Sequence, residues 1–199
     1  MSEINRRELL GMLAAAPLPV LFSLPRGTIE GAWRKAQDAV ASSAAQFEPR
    51  FFTAPEWPTV RLLADLIIPR DEHSGSATDA AVPEFMDYVM SEWPENQTPM
   101  RGGLTWLDRE CRERYGQPFR ECAAAERTAL LDEIAWPKKA RSEMSQGAAW
   151  FTSFRDLVAS GFYSSKMGVA DIQYLGNTFV PEWKGCPPGV TNKLGVKTR

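Results

Sequence analysis

His73 is the only histidine of the chain, and it lies in a polar stretch rich in carboxylates. Asp71 and Glu72 come directly before it, and Asp79 follows in the same stretch. A histidine beside carboxylates suits general acid–base catalysis, and the same groups can hold a cation. The spacing does not match the ligand positions of an EF-hand loop. We therefore expect His73 to be a solvent-exposed loop residue rather than a catalytic base or a metal ligand.

Three more carboxylates, Glu126, Asp132 and Glu133, could in principle form an acid–base pair. They belong to a segment with helical spacing, in which Leu130, Leu131 and Ile134 form the apolar side. Carboxylates opposite such a stripe usually face water. We therefore interpret them as the solvated face of a helix.

The chain lacks the common cofactor-binding motifs. It contains no G-x-G-x-x-G sequence, no phosphate-binding P-loop and no C-x-x-C-H sequence. These motifs mark dinucleotide sites, nucleoside phosphate sites and c-type haem attachment. No cofactor and no metal are therefore expected on this chain.

The three cysteines, Cys111, Cys122 and Cys186, cannot all pair within one chain. A disulfide between Cys111 and Cys122 is one arrangement. Cys186 lies before two prolines and could form a bridge to another chain, or a bond to Cys111 or Cys122 that fixes the C-terminal segment. Either bond would persist in an oxidising compartment. All three are disulfide candidates, and sequence alone leaves the connectivity open.

Helical periodicity dominates the segments that must position these residues, and no segment alternates convincingly as a strand does. Pro94 and Pro99 should bracket a loop, Gly116 should stop the third helix and Gly161 the fifth. The last residues, 162–199, predict an irregular tail with a frayed, Lys-rich end. The predicted fold class is all-α, a small irregular domain of about five helices. They begin at Thr53 and near Pro83, and then cover about residues 101–115, 123–135 and 147–160.

The N-terminus has the features of an export signal. Arg6 and Arg7 precede a moderately apolar run from Leu9 to Leu24, a pattern typical of the twin-arginine route. The run is short and interrupted by prolines, which is unlike a membrane span. No small-x-small cleavage site follows it, so the signal is either cleaved at an atypical site or retained as a membrane anchor. The expected location is the periplasm, with attachment to the inner membrane if the signal stays.

The composition excludes some functions and favours an interface. A net charge of −2 and a pI of about 5.6 argue against a nucleic-acid binder, which needs a basic face. The 44% of hydrophobic residues is enough for a core. Seven tryptophans is a high number, and tryptophan is enriched where proteins meet. We expect part of the aromatic surface to be covered by a partner.

Several motifs together suggest a family. The most distinctive segment includes Gly161-Phe162-Tyr163-Ser164-Ser165-Lys166-Met167-Gly168, Tyr174-Leu175-Gly176-Asn177 and Trp183-Lys184-Gly185-Cys186-Pro187. Upstream stand Ile67-Ile68-Pro69, Ala80-Ala81-Val82-Pro83-Glu84-Phe85-Met86-Asp87 and Gly116-Gln117-Pro118-Phe119. Over about residues 53–188 the chain resembles the gluconate 2-dehydrogenase subunit 3 family. Within that family it is most similar to small subunits of FAD-dependent glucoside 3-dehydrogenases.

The resemblance implies a non-catalytic small subunit that escorts and stabilises a larger flavoprotein. The FAD and the sugar-oxidising chemistry would belong to that large catalytic subunit, and a cytochrome c often takes its electrons. The small subunit would supply the export signal for both chains. The partner interface is expected at Phe162, Tyr163, Tyr174, Trp183 and Cys186.

The predicted organisation has four parts. Residues 1–24 form the export signal, 25–52 a linker or loose helix, 53–188 the helical domain and 189–199 a frayed tail. Two other functions fit the sequence. One is a stand-alone exported sugar-active lyase or hydrolase that uses Asp71, Glu72 or His73, and the other is a binding protein of the cell envelope.

Overall fold

The computed structural model describes residues 30–35, 38, 47–174, 176 and 182, and the part that it describes is helical without strands. Residues 30–35 are helical. The helices that follow are α1 (Glu56–Ile67), α2 (Val82–Glu92), α3 (Pro94–Tyr115), α4 (Ala124–Ile134), α5 (Ser145–Ser164) and α6 (Lys166–Asp171). Short 3₁₀ helices, Phe119–Glu121 and Ser142–Met144, join α3 to α4 and α4 to α5. The all-α prediction is therefore confirmed.

Helix α5 lies at the centre of the fold and packs against each of the other five α-helices. It presents buried residues on several sides, including Phe151, Phe154, Val158 and Phe162. A helix that is apolar around most of its circumference is typically surrounded by other elements. The core therefore forms around α5.

Several predicted helix signals act as expected. Thr53 donates its N–H and hydroxyl to Glu56 Oε2, both at 2.8 Å, and its carbonyl accepts the N–H of Trp57 at the start of α1. Gly116 ends α3 in the left-handed conformation, with φ of 78°. Such a conformation is favourable mainly for glycine. Leu130, Leu131 and Ile134 are buried, as the stripe on α4 predicts.

The prediction of a loop between Pro94 and Pro99 is wrong, because both residues belong to α3. Pro94 occupies the first helical position, where a missing N–H costs nothing. Pro99 lies one turn later and cannot donate to the carbonyl of Glu95. The helix continues through it because the next residues, including Met100, Gly103 and Leu104, are buried against the rest of the fold.

Gly161 does not end α5, which continues to Ser164. A Cβ on Gly161 would lie 3.0 Å from carbons of Phe85 and Val82, so this glycine allows α2 to approach α5 closely. The irregular tail predicted from residue 162 onwards is also partly wrong. Residues up to Ser164 complete α5, and Ser165 then caps α6 by accepting the N–H of Gly168 at 3.0 Å.

None of the helices that the structure describes combines the length and the apolar composition needed to cross a membrane.

Candidate functional site

The carboxylates around His73 form turns and ion pairs. His73 itself is 73% exposed, as the sequence predicts. One oxygen of Asp71 accepts the N–H groups of His73 and Ser74, both at 2.9 Å. Asp79 accepts the N–H of Ser76 at 2.7 Å and pairs with Arg70 at 2.7 Å. The Ser76 N–H is the main cause that lowers the pKa of Asp79. Among the described residues no cluster of His, Cys, Asp and Glu could hold a metal ion.

The carboxylates of α4 have similar structural roles. Glu126 accepts the N–H of Ala123 at 2.8 Å and so caps the start of the helix. Glu133 joins Arg114, at 2.8 Å, to Arg141, at 2.6 Å. The hydrogen bond from Arg114 is the main cause that lowers the pKa of Glu133. Asp132 is exposed, as predicted.

Cys111 and Cys122 are both buried and free. Burial, followed by a hydrogen bond with Cys122, raises the pKa of the Cys111 thiol to about 12. The Cys122 thiol faces the carbonyls of Gln117 and Pro118 at 3.6 and 3.5 Å. A protonated, inaccessible thiol is a poor nucleophile. Cys186 lies outside the described residues.

The residues predicted at the partner interface differ in how much of their surface is exposed. Phe162 has no exposed surface and belongs to the core, so it is not available to a partner in this conformation. Tyr163 is half-buried beside it, with the two rings edge to face at 5.3 Å. Tyr174 is 56% exposed, and its place at a partner interface stays a prediction. Trp183 and Cys186, like Arg6 and Arg7, lie outside the described residues.

A cavity of about 560 Å³ lies between α3 and α5, and we name it the tryptophan groove. Its volume lies within the range of about 300–1,000 Å³ that is common for binding sites. The lining is mostly apolar. It consists of Met90, Trp93, Asn96, Pro99, Met100, Gly102, Gly103, Trp106, Gln146, Gly147, Ala149, Trp150, Ser153, Asp156, Leu157 and Ser160.

Two tryptophans and two glycines fix the walls of this groove. A Cβ on Gly103 of α3 would lie 2.0 Å from the indole of Trp150 on α5. A Cβ on Gly147 of α5 would lie 2.1 Å from the indole of Trp106 on α3. Each helix therefore presents a tryptophan to a glycine of the other. Only glycine leaves room for such contacts, so the two helices hold each other at a defined separation.

The polar groups of the groove include one buried donor without an acceptor. Within the part of the chain that the structure describes, Trp150 Nε1 has no hydrogen-bond partner, although Trp150 is only 9% exposed. Asp156 is bound by Arg155, whose Nη2 and Nε lie 3.1 and 3.3 Å from its Oδ1. The charge of Asp156 is thus compensated by Arg155. The N–H of Trp150, in contrast, has no acceptor among the described residues.

A second, smaller depression lies between α1 and α2 and is lined by Phe47, Trp57, Pro58, Arg61 and Glu84. Arg61 pairs with Glu84 at 3.1 Å. The other oxygen of Glu84 has no partner among the described residues, and burial raises the pKa of this carboxyl. The pair ties α1 to α2.

The tryptophan groove was not predicted from the sequence. Gly103 and Gly147 inside helical segments were the signal, because glycine in a helix is unfavourable unless a close contact requires it. Sequence alone could not show that Trp150 lies over Gly103 and Trp106 over Gly147, since the pairs are far apart along the chain.

A family model described as Gluconate 2-dehydrogenase subunit 3 matches residues 54–181, which is more than half of the chain. This range includes α1 to α6, and hence both helices of the tryptophan groove. No curated protein matches the chain, and neither does any solved structure.

Proposed function

The chain belongs to the gluconate 2-dehydrogenase subunit 3 family, and on this premise we propose that it is a non-catalytic small subunit of an exported dehydrogenase. Its partner would be a larger FAD-dependent sugar or polyol dehydrogenase, similar to the glucoside 3-dehydrogenases. The large subunit would hold the flavin and oxidise the substrate. The chain described here would stabilise that subunit and accompany it through the twin-arginine route to the periplasm.

The family match is the observation that carries this proposal, because the family is named for a subunit of a dehydrogenase complex. The polar side chains give further support. Four of the carboxylates considered for acid–base chemistry, Asp71, Asp79, Glu126 and Glu133, bind main-chain N–H groups or arginines. They act within the fold, as expected of a subunit that contributes binding rather than chemistry.

The proposed route of export is supported by Arg6 and Arg7 and by the apolar run that follows them. This route accepts folded proteins, so two chains that have already assembled can travel on one signal. A large subunit without its own signal would then depend on this chain for its location.

Export is tested by replacing both arginines in the Arg6→Lys, Arg7→Lys double variant and locating the dehydrogenase activity in cell fractions. We expect the activity to remain in the cytoplasm. The matched control is Arg109→Lys with Arg112→Lys, two exposed arginines of α3. This control should leave the activity in the periplasm. If activity reaches the periplasm when Arg6 and Arg7 are replaced, the escort role is wrong.

Cys186 offers a second, narrower test of the same proposal. In the oxidising periplasm it could form a disulfide with the large subunit, or with Cys111 or Cys122 in its own chain. Electrophoresis of the complex without reductant separates these arrangements. A band at the summed mass that disappears with reductant, and is absent in Cys186→Ser, indicates the intersubunit bond. Two separate bands exclude that bond.

A further inference from the structure

We propose that Cys111 and Cys122 close into a disulfide once the folded chain has reached an oxidising compartment, which leaves Cys186 for the bond to the large subunit. The compartment and the large subunit come from the proposed function, and the inference rests on it to that extent. The pairing itself follows from contacts within the described residues.

Helix α3 and the segment that follows it bring the two thiols together. Phe119 donates its N–H to Asp108 of α3 at 3.0 Å, and the 3₁₀ helix Phe119–Glu121 packs against α3. Cys111 lies three residues after Asp108, and Cys122 lies three residues after Phe119, whose carbonyl accepts the Cys122 N–H at 3.3 Å. The two cysteines therefore follow the same contact at equal spacing, and their thiols are hydrogen-bonded to each other.

Burial makes this pairing the least disruptive one. Cys111 has no exposed surface and Cys122 is 3% exposed, and both belong to the hydrophobic core. A sulfur from elsewhere can reach either thiol only if core side chains are displaced. The two thiols, in contrast, need only shorten an existing contact to the bond length of about 2.05 Å.

Cys122 is the sulfur that an oxidant can reach first. Its neighbours Glu121 and Ala123 are exposed, and the 3₁₀ helix before it has only three residues. A short segment with few hydrogen bonds opens locally at a lower cost than the whole fold does. Such an opening uncovers Cys122 while Cys111 stays in place on α3. Because the closed fold shields both thiols, the oxidation should be slow.

Thiol–disulfide exchange supplies the chemistry, and the oxidant is the disulfide of a periplasmic thiol oxidoreductase. The thiolate of Cys122 attacks one sulfur of that disulfide, forms a mixed disulfide and releases one thiol of the oxidant. The thiolate of Cys111 then attacks the Cys122 sulfur and displaces the second thiol. The chain loses two electrons and two protons, and the oxidant gains them as its dithiol.

The bond would act on the junction between α3 and α4. It would close a short loop that holds Gly116, the end of α3, and the 3₁₀ helix. A disulfide restricts the unfolded chain and so favours the folded one. Thiols stay reduced in the cytoplasm, so the chain would become more stable after transport than before it.

Oxidised glutathione tests the pairing on the purified, folded, full-length chain. All measurements use Cys186→Ser, so that only Cys111 and Cys122 can react. After incubation for hours the chain is denatured, its remaining thiols are alkylated and counted by intact mass spectrometry, and linked peptides are identified after proteolysis. The matched control carries Cys111→Ala in the same Cys186→Ser chain.

We expect both thiols to disappear without bound glutathione, and a peptide that links Cys111 to Cys122. The thermal midpoint should rise by about 5–10 °C on oxidation and return with reductant, as for a typical disulfide. The Cys111→Ala control should show no such rise. Two free thiols, or a lasting glutathione adduct on Cys122, would overturn the pairing. A bond that forms only when the chain is refolded from denaturant would overturn closure of the folded chain, and a midpoint that falls would overturn the stabilising role.

The same chain in cells separates this inference from the proposed function. We expect two free thiols when Arg6 and Arg7 are replaced by lysine, and the bond when the signal is intact. A chain that is exported with both thiols free would overturn the inference and leave the proposed function standing. A chain that closes with glutathione but never leaves the cytoplasm would overturn the proposed function and leave the pairing standing. A peptide that links Cys186 to Cys111 or Cys122 in the exported wild-type chain would overturn the pairing.

Discussion

Asp87 fastens the segment before α1 to the body of the protein. Its carboxylate accepts the main-chain N–H groups of Arg50, Phe51 and Phe52, at 2.8, 2.9 and 2.9 Å. Asp87 is only 1% exposed. Three donors on one buried carboxylate fix the position of the segment's backbone.

Replacing Asp87 with alanine should therefore destabilise the chain by about 3 kcal/mol or more, because up to three buried N–H groups lose their acceptor. Asp87→Asn keeps one oxygen for Phe51 and Phe52 and should cost less. The control Asp132→Ala, on the exposed side of α4, should change stability by less than about 0.5 kcal/mol. Urea unfolding followed by circular dichroism measures all three. A loss with Asp87→Ala no larger than that of the control would contradict this role.

Because of Cys111, the free energy of unfolding should depend on pH in the alkaline range. Its pKa rises from 9.0 to about 12 in the fold, mainly because of burial. The folded chain thus holds the proton more tightly than the unfolded chain. This contribution is complete below about pH 9 and is lost as the pH rises from there towards 12. We expect the free energy of unfolding to fall less steeply between about pH 9 and 11 in Cys111→Ala than in wild type. Parallel pH profiles would contradict the buried, protonated thiol.

Helices α3 and α5 depend on each other through reciprocal contacts. Trp150 needs Gly103, and Trp106 needs Gly147, so a change at either glycine disturbs a partner helix rather than its own. The neighbouring Gly102 differs, since a Cβ there would meet nothing within 4 Å. The two adjacent glycines therefore have different roles, although they are indistinguishable in the sequence.

Alanine at these two positions should have opposite effects. Gly103→Ala should destabilise by about 1–3 kcal/mol, because the added methyl group overpacks against the indole. Gly102→Ala should stabilise by about 0.5–1 kcal/mol, the usual gain from replacing glycine inside a helix. Thermal unfolding of the two variants decides the matter. The same sign of change in both would contradict the packing of Trp150 on Gly103.

Local signals in the sequence predicted the helices well and some of their ends poorly. Gly116 stops α3 because its left-handed backbone favours glycine. Gly161 looks equivalent in the sequence, yet it serves a close approach of α2 to α5. Pro99 is likewise retained inside α3, where buried contacts outweigh a missing hydrogen bond. These outcomes depend on neighbours from distant parts of the chain, which periodicity does not reveal.

In the part of the chain that the structure describes, the helices surround α5, and the tryptophan groove lies between α3 and α5. The sequence predicted the fold class, the exposed His73 and the family. It did not predict the groove, because that surface is made by two helices whose contacts follow from tertiary packing. It assigned Phe162 to an interface from its aromatic character, whereas packing against α5's neighbours gives it a place in the core.

Affinity purification of the tagged chain from its native host is the measurement that tests the central claim most directly. We expect a larger protein to co-purify, with the absorbance spectrum of a flavin and with sugar-dependent dehydrogenase activity. His73→Ala should leave this activity within a few-fold of wild type, far from the ~10²–10⁴-fold loss expected for a general acid or base. The account is contradicted if the chain purifies alone from the host, or if the chain alone turns over a sugar.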